Sequence, residues 1–274
     1  MTWPGMNMNI FKKIFGDRGK PEPPADDLIA SVHGLTDVGI DRDNNEDYFL
    51  VVPDKNLFIV SDGMGGHNAG EVASLNATEA VNNHFTPATL SEIKGDRIKI
   101  NDELNDCLYI ANQTILDLAE NNASYQGMGC TLVVALVERG ALHVGHVGDA
   151  RAYLCDANGI KLLTTDHSKV MELVKAGQMT LEEARHSPLK NELSQAIGSP
   201  LSIIPDYNYH DLKTGDKVLL CSDGLWDMLP DDEIYRVVQQ AKPARLICEE
   251  LVHDANDAGG HDNITVVLIE YREP

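Results

Sequence analysis

Apolar positions in this chain fall into short β-branched runs separated by longer stretches of helical spacing. The runs Leu57–Val60, Thr131–Val137, Leu142–Val147, Val218–Cys221 and Ile264–Ile269 are short and rich in Val, Ile and Leu, which predicts strands. Another strand is expected from Tyr48. Residues 69–85, 98–121, 231–240 and 243–257 instead repeat apolar side chains at helical intervals, and the last stretch opens at Pro243, a residue tolerated in a first turn. Only Glu138, Arg139 and Gly140 separate 131–137 from its successor, so a tight reversal pairs the two antiparallel. The alternation in Val144–Gly148 points the same way. Long helices between antiparallel strands predict an α+β fold with helices on the outer faces of the sheets. Residues 168–195 form a polar helical excursion, ending near Gly198, that reads as a surface insertion.

No repeat, low-complexity tract or linker interrupts the chain after residue 30. One domain over 28–274 is expected, preceded by a flexible tail, 1–27, with a small amphipathic patch (Ile10, Phe11, Ile14 and Phe15 beside Lys12 and Lys13) and a proline-rich stretch. One basic turn anchors weakly to a membrane, so no stable membrane insertion is expected. The net charge of −21 repels a nucleic-acid backbone and excludes that class of partner. Five scattered cysteines without a close pair favour a reducing compartment, and with no secretory or membrane-spanning apolar run a cytoplasmic location is expected. A monomer is expected, since no long apolar patch is evident.

The chemistry concentrates in turns where apolar strands end in carboxylates. Asp62 closes the strand before a glycine-rich turn with Gly63, Gly65 and Gly66; Asp223 closes Val218–Cys221 in the same Ser-Asp-Gly context; and Asp262 precedes the last strand. A carboxylate at a strand end, with a bare glycine carbonyl beside it, suits hard divalent cations. Each turn alone reads equally well as Asp-Gly turn chemistry, and Asp149 as the charged tip of a hairpin. Arg42 lies among acids in the loop leading to Glu46 and Asp47, and its planar fork of donors fits phosphate oxygens.

The ordered set TDVGIDRDNNED, SDGMGGHNAGEVAS, GCTLV, GHVGDARAYL, LTTDHSKV, AIGS, CSDGLWD and HDNITVV resembles the metal-dependent PPM, or PP2C-like, protein serine/threonine phosphatases in their bacterial form, over roughly residues 30–271. The resemblance implies a four-layer α-β-β-α sandwich of two packed antiparallel β-sheets flanked by helices. It also implies a centre of two Mn²⁺ or Mg²⁺ ions per subunit, with a weaker third. By motif match Asp62 bridges the two ions, the Gly63 carbonyl binds one, Asp223 and Asp262 hold the other, and Glu46 and Asp47 act through bound waters. Asp149 with Asp223 takes the third ion, and Arg42 binds the substrate phosphate.

The implied reaction is attack of a metal-bridging water or hydroxide on phosphoserine or phosphothreonine of proteins phosphorylated by a serine/threonine kinase. Neither Cys221 nor Ser222 is then a nucleophile. Where many eukaryotic relatives carry a histidine proposed as general acid, this chain has Met64, which donates no proton; a metal-bound water is the alternative donor, and His67 a weaker one. By the same resemblance, the 168–195 insertion corresponds to the flap that in bacterial relatives lies beside the active site. Competing readings are a phosphatase for a narrow set of phosphoproteins, such as anti-sigma-factor antagonists, and a non-catalytic pseudophosphatase that binds phosphoproteins. The second requires a lost metal aspartate, and all are present. No GxxxxGK[ST] or strand-linked GxGxxG loop supports nucleotide binding.

Overall fold

A computed structural model describes residues 28–65 and 69–272; the expectations for the 1–27 tail and for His67 fall outside the described residues. One five-stranded sheet consists, in spatial order, of β1 (Leu28–Asp37), β12 (Ile264–Arg272), β11 (Lys217–Cys221), β8 (Arg151–Asp156) and β9 (Gly159–Leu162). The other consists of β10 (Asp206–Asp211), β7 (Ala141–Val147), β6 (Leu132–Glu138), β3 (Leu57–Ser61) and β2 (Tyr48–Val52). All these pairings are antiparallel. A two-residue ribbon pairs β4 (Gly63–Met64) with β5 (Gly129–Cys130). The expected reversal between β6 and β7 is present, with Arg139 and Gly140 both in the left-handed region (φ 49° and 75°) that such tight hairpins require.

Burial alternates along the strands even though both faces are covered. On β3, Leu57 and Ile59 join the cluster formed with helices α1 (Ala69–His84) and α3 (Arg97–Asn121), whereas Phe58 and Val60 face the other sheet. On β11, Leu219 and Cys221 pack towards α7 (Asp231–Val238) and α8 (Ala244–Asp257), and Val218 and Leu220 face inward. Three buried layers of side chains therefore hold four layers of structure, the expected α-β-β-α sandwich. The short α2 (Pro87–Ile93) precedes α3, and α6 (Asp223–Trp226) follows β11. The 168–195 excursion carries α4 (Lys169–Lys175) and α5 (Leu181–Arg185), with only Val170 and Ala184 among their residues fully buried.

Two departures have physical causes. The residues of β7 are all buried, so the alternation in Val144–Gly148 separates two buried faces, not core from solvent. The strand β10, Asp-Tyr-Asn-Tyr-His-Asp, was not anticipated: it is an edge strand with no fully buried residue, and it lacks an apolar run. All five cysteines are buried and free, including Cys107 with its polar sequence neighbours.

Register places the chemistry at one end of the sandwich. In the first sheet Asp37 lies opposite Ile264, and Cys221 lies opposite both Val266 and Arg151. In the second, Tyr48 pairs with Ser61 and Leu132 with Val147. The turns carrying Arg42 to Asp47, Asp62, Asp149, Asp223 and Asp262 all leave the sheets from this end.

Candidate active site

The loop between β1 and β2 carries Arg42, Glu46 and Asp47, and it crosses from one sheet to the other. Buried Asn263 fixes its path: its Nδ2 donates to the carbonyls of Val38 and Asn44, both at 2.8 Å, and its Oδ1 accepts from Glu46 N at 2.7 Å. One fully satisfied amide thus ties this loop to the residue after Asp262. Ile40 N adds a bond to Gly260 O at 2.7 Å.

Asp62 is braced through its backbone, donating to Thr131 Oγ1 at 3.0 Å and accepting from Thr131 N at 2.8 Å. Gly63 is required for close approach: a Cβ there would lie 2.4 Å from Glu46 O and 2.3 Å from Gly70 O. The bare residue lets Gly63 N donate to Glu46 O at 3.1 Å, which joins the Asp62 turn to the Glu46–Asp47 loop. Asp223 begins α6 directly after Ser222, so this Asp-Gly pair starts a helix and makes no hairpin. Asp149 is likewise no hairpin tip, because β7 and β8 belong to different sheets. Bidentate pairing of Arg151 with Asp166 (3.0 and 2.7 Å), its stacking 3.7 Å from the Trp226 ring, and donation from Trp226 Nε1 to Asp149 O at 3.1 Å secure that crossover.

The carboxylates converge. Burial pushes the Asp62 carboxyl well above the ordinary range, and the charges of Asp47, Asp223, Asp149 and Asp262 raise it further. Burial and then Asp223 raise Asp149 in the same way. Asp47 is pushed up to about 8, chiefly by burial and despite the Ser222 hydroxyl that donates to its Oδ2 at 2.7 Å; Asp223 is pushed up to about 6, by burial and then by Asp262. Burial also raises Glu46, against the pull of Arg42. At the rim, half-exposed Arg42 reaches Asp262 Oδ2 through Nη2 at 2.6 Å.

Asp47 Oδ1 and Asp223 Oδ1 are buried without a partner. Uncompensated anions of this density are costly unless a cation joins them, and an all-oxygen donor set fits hard divalent ions. Ser222, which the sequence raises only as a rejected nucleophile, and Asn263 hold the acids in place; both lie inside the motifs that mark the turns, but neither motif signals this role.

The protein phosphatase 2C family model matches residues 40–257, a span that includes Arg42, Glu46 and Asp47 of the β1–β2 loop and the Asp62, Asp149 and Asp223 turns. The chain belongs to the protein phosphatase 2C family. It is similar to protein phosphatase PhpP of Streptococcus pneumoniae, 40% identical over 243 residues that cover 87% of this chain and 96% of that one. Among solved structures, the Streptococcus agalactiae serine/threonine phosphatase superposes with a TM-score of 0.81 at 36% identity, covering 88% of this chain and 99% of the other. The catalytic domain of the serine/threonine phosphatase PstP, solved in complex with two manganese ions, gives a TM-score of 0.77 at 31% identity over 89% and 98% of the chains.

This 2C-type chain is therefore a serine/threonine protein phosphatase, a hydrolase acting on phosphoproteins, of a metal-dependent family. Among its described residues no helix is long and apolar enough to cross a membrane. Cys221 and Ser222 are not placed as nucleophiles: the thiol is buried and shifted far up by burial, and the hydroxyl is buried and bound to Asp47.

Proposed function

We propose that this phosphatase hydrolyses phosphoserine and phosphothreonine at the end of the sandwich where Asp47, Asp62, Asp149, Asp223 and Asp262 meet, and that these acids serve as a cage for divalent cations. The observation that carries the reading is their convergence, with two buried carboxylate oxygens left without partners. Asp62, which feels the charge of all the others, would with the Gly63 carbonyl, Asp223 and Asp262 hold two Mn²⁺ or Mg²⁺ ions. Glu46 and Asp47 would position water at those ions, and Asp149 with Asp223 would hold a weaker third.

The bound ions supply positive charge that lowers the pKa of water and offsets the phosphate's charge. The reaction adds water across the ester P–O bond and releases phosphate and the seryl or threonyl alcohol. Arg42 orients the phosphate, exchanging its Asp262 partner for two phosphate oxygens. A protein monomer in the cytoplasm, opposing a serine/threonine kinase, fits the acidic surface and the family.

The test is hydrolysis of a phosphothreonine peptide with and without Mn²⁺, by wild type and by Asp62→Asn. The expected outcome is activity that needs Mn²⁺ and falls by at least a hundredfold in the variant. Metal-independent turnover, or a fully active variant, would overturn the proposal.

A further inference from the structure

The end of the sandwich that holds the aspartates also holds a group of different chemistry. His146 lies near the end of β7, Asp206 opens β10 directly opposite it in the register, and His167 lies in the strap that follows β9. A ring nitrogen of each histidine and a carboxylate oxygen of Asp206 all lie within 4.8 Å of one another. Both imidazoles are buried, while the Asp206 side chain is 41% exposed and opens the group to solvent.

Hydrogen bonding fixes which nitrogens are available. His146 Nε2 lies 3.0 Å from the carbonyl oxygen of Thr165, which only accepts, so Nε2 carries the hydrogen and Nδ1 presents a lone pair. That Nδ1 is buried and has no partner. An imidazole that donates one N–H to a backbone carbonyl and offers its other nitrogen is arranged as metal-bound histidines are. His167 is held more loosely: Nδ1 accepts from Gly148 N at 3.3 Å, and Nε2 faces Asp206 Oδ2 at 3.3 Å. Burial holds both rings below the ordinary histidine pKa, so protons compete little for them near neutrality.

We propose that His146, His167 and Asp206 form a binding site for one borderline divalent transition ion of the Zn²⁺ class. Two imidazoles and a carboxylate, with water completing the shell, match Zn²⁺ or Co²⁺ better than Mg²⁺, which favours oxygen donors. The site shares no ligand with the acid cluster. The two rings are stacked, with centroids 4.8 Å apart and planes 25° apart, so their in-plane lone pairs do not converge on one point. Binding therefore turns one ring, and His167, with two long contacts, is the one free to turn. When His167 Nε2 gives its lone pair to the ion, its proton moves to Nδ1 and the contact from Gly148 N is surrendered.

The test uses the full chain with Asp62→Asn and Asp223→Asn, which suppress ion binding at the acid cluster, titrated with Co²⁺ and then Zn²⁺ by calorimetry and visible absorption. The expected result is one equivalent of Co²⁺ with ligand-field bands of low coordination number, displaced by Zn²⁺. Adding Asp206→Ala or His167→Gln should weaken binding at least tenfold with an unchanged circular dichroism spectrum. No saturable equivalent, or undiminished binding in either folded variant, overturns the proposal. If both variants fail to fold, histidine-ring ¹⁵N NMR of the parent chain decides: Zn²⁺ must shift the His146 Nδ1 resonance, and an unmoved resonance overturns the site.

Discussion

Asp47→Asn should make the metal-free protein more stable while impairing the enzyme. The Asp47 carboxyl is buried, one oxygen has no partner, and its pKa is pushed from an ordinary 3.8 up to about 8. Between those values the folded chain holds a proton that the unfolded chain releases, so this group's contribution is full below about pH 4 and is lost as pH rises through about 8. At about 1.4 kcal/mol per pKa unit, four units set a ceiling of about 6 kcal/mol. Proton sharing among the neighbouring acids and relaxation of the loop reduce the expected effect to about 2–3 kcal/mol. Asparagine keeps an acceptor for the Ser222 hydroxyl and offers its NH₂ to the remaining acids. For a domain of this length the gain is about 4–12 °C in Tm. Thermal unfolding in EDTA at pH 5, 6, 7 and 8 checks it. The variant should melt above wild type at pH 8, with the gap closing at lower pH. A variant less stable at pH 8, or a gap independent of pH, would refute the electrostatic account. Saturating Mn²⁺ should invert the order, since ions bound only by the folded state stabilise the wild type more.

Ser222→Ala strips the donor from Asp47 and leaves Thr265 N, which donates to Ser222 Oγ at 2.9 Å, without that acceptor; urea unfolding should show a loss of about 1–3 kcal/mol. Lys190→Ala releases the 168–195 excursion from Asp227, which holds the ammonium through both carboxylate oxygens at 2.5 and 2.7 Å. For that variant KM for a phosphopeptide should change severalfold, while stability changes by no more than about 1 kcal/mol and turnover of a small aryl phosphate is unaffected. Equal effects on both substrates would remove the excursion from substrate binding. Met64→His should alter the pH–rate profile for substrates with poor leaving groups, and an unchanged profile counts against an acid role at that position.

The parts of this molecule legible in the sequence are those whose cause is local. Strands such as β3, β6 and β12 are visible because burial on both faces demands continuous apolar runs, and the carboxylate turns are visible because each ends such a run. What joins them is not local. Asp149 reads as a hairpin tip until the strands on either side are known to lie in different sheets, and Asp223-Gly224 reads as a turn signal although it opens a helix. Ser222 and Asn263 are unremarkable polar residues in sequence. Their importance comes from partners far away in the chain: Asp47 for Ser222, and Val38, Asn44 and Glu46 for Asn263.

The histidine group is hidden for the same reason. His146 and His167 each stand in a recognised motif, but Asp206 sits at the start of an edge strand with no apolar signature, and only the β7–β10 register brings the three together. The acid cluster could be anticipated because its members occupy similar positions on similar strands. The histidine group has no shared pattern, so its members can be related only through the pairing of the sheet, and its chemistry becomes readable only when the tautomer imposed by Thr165 is known.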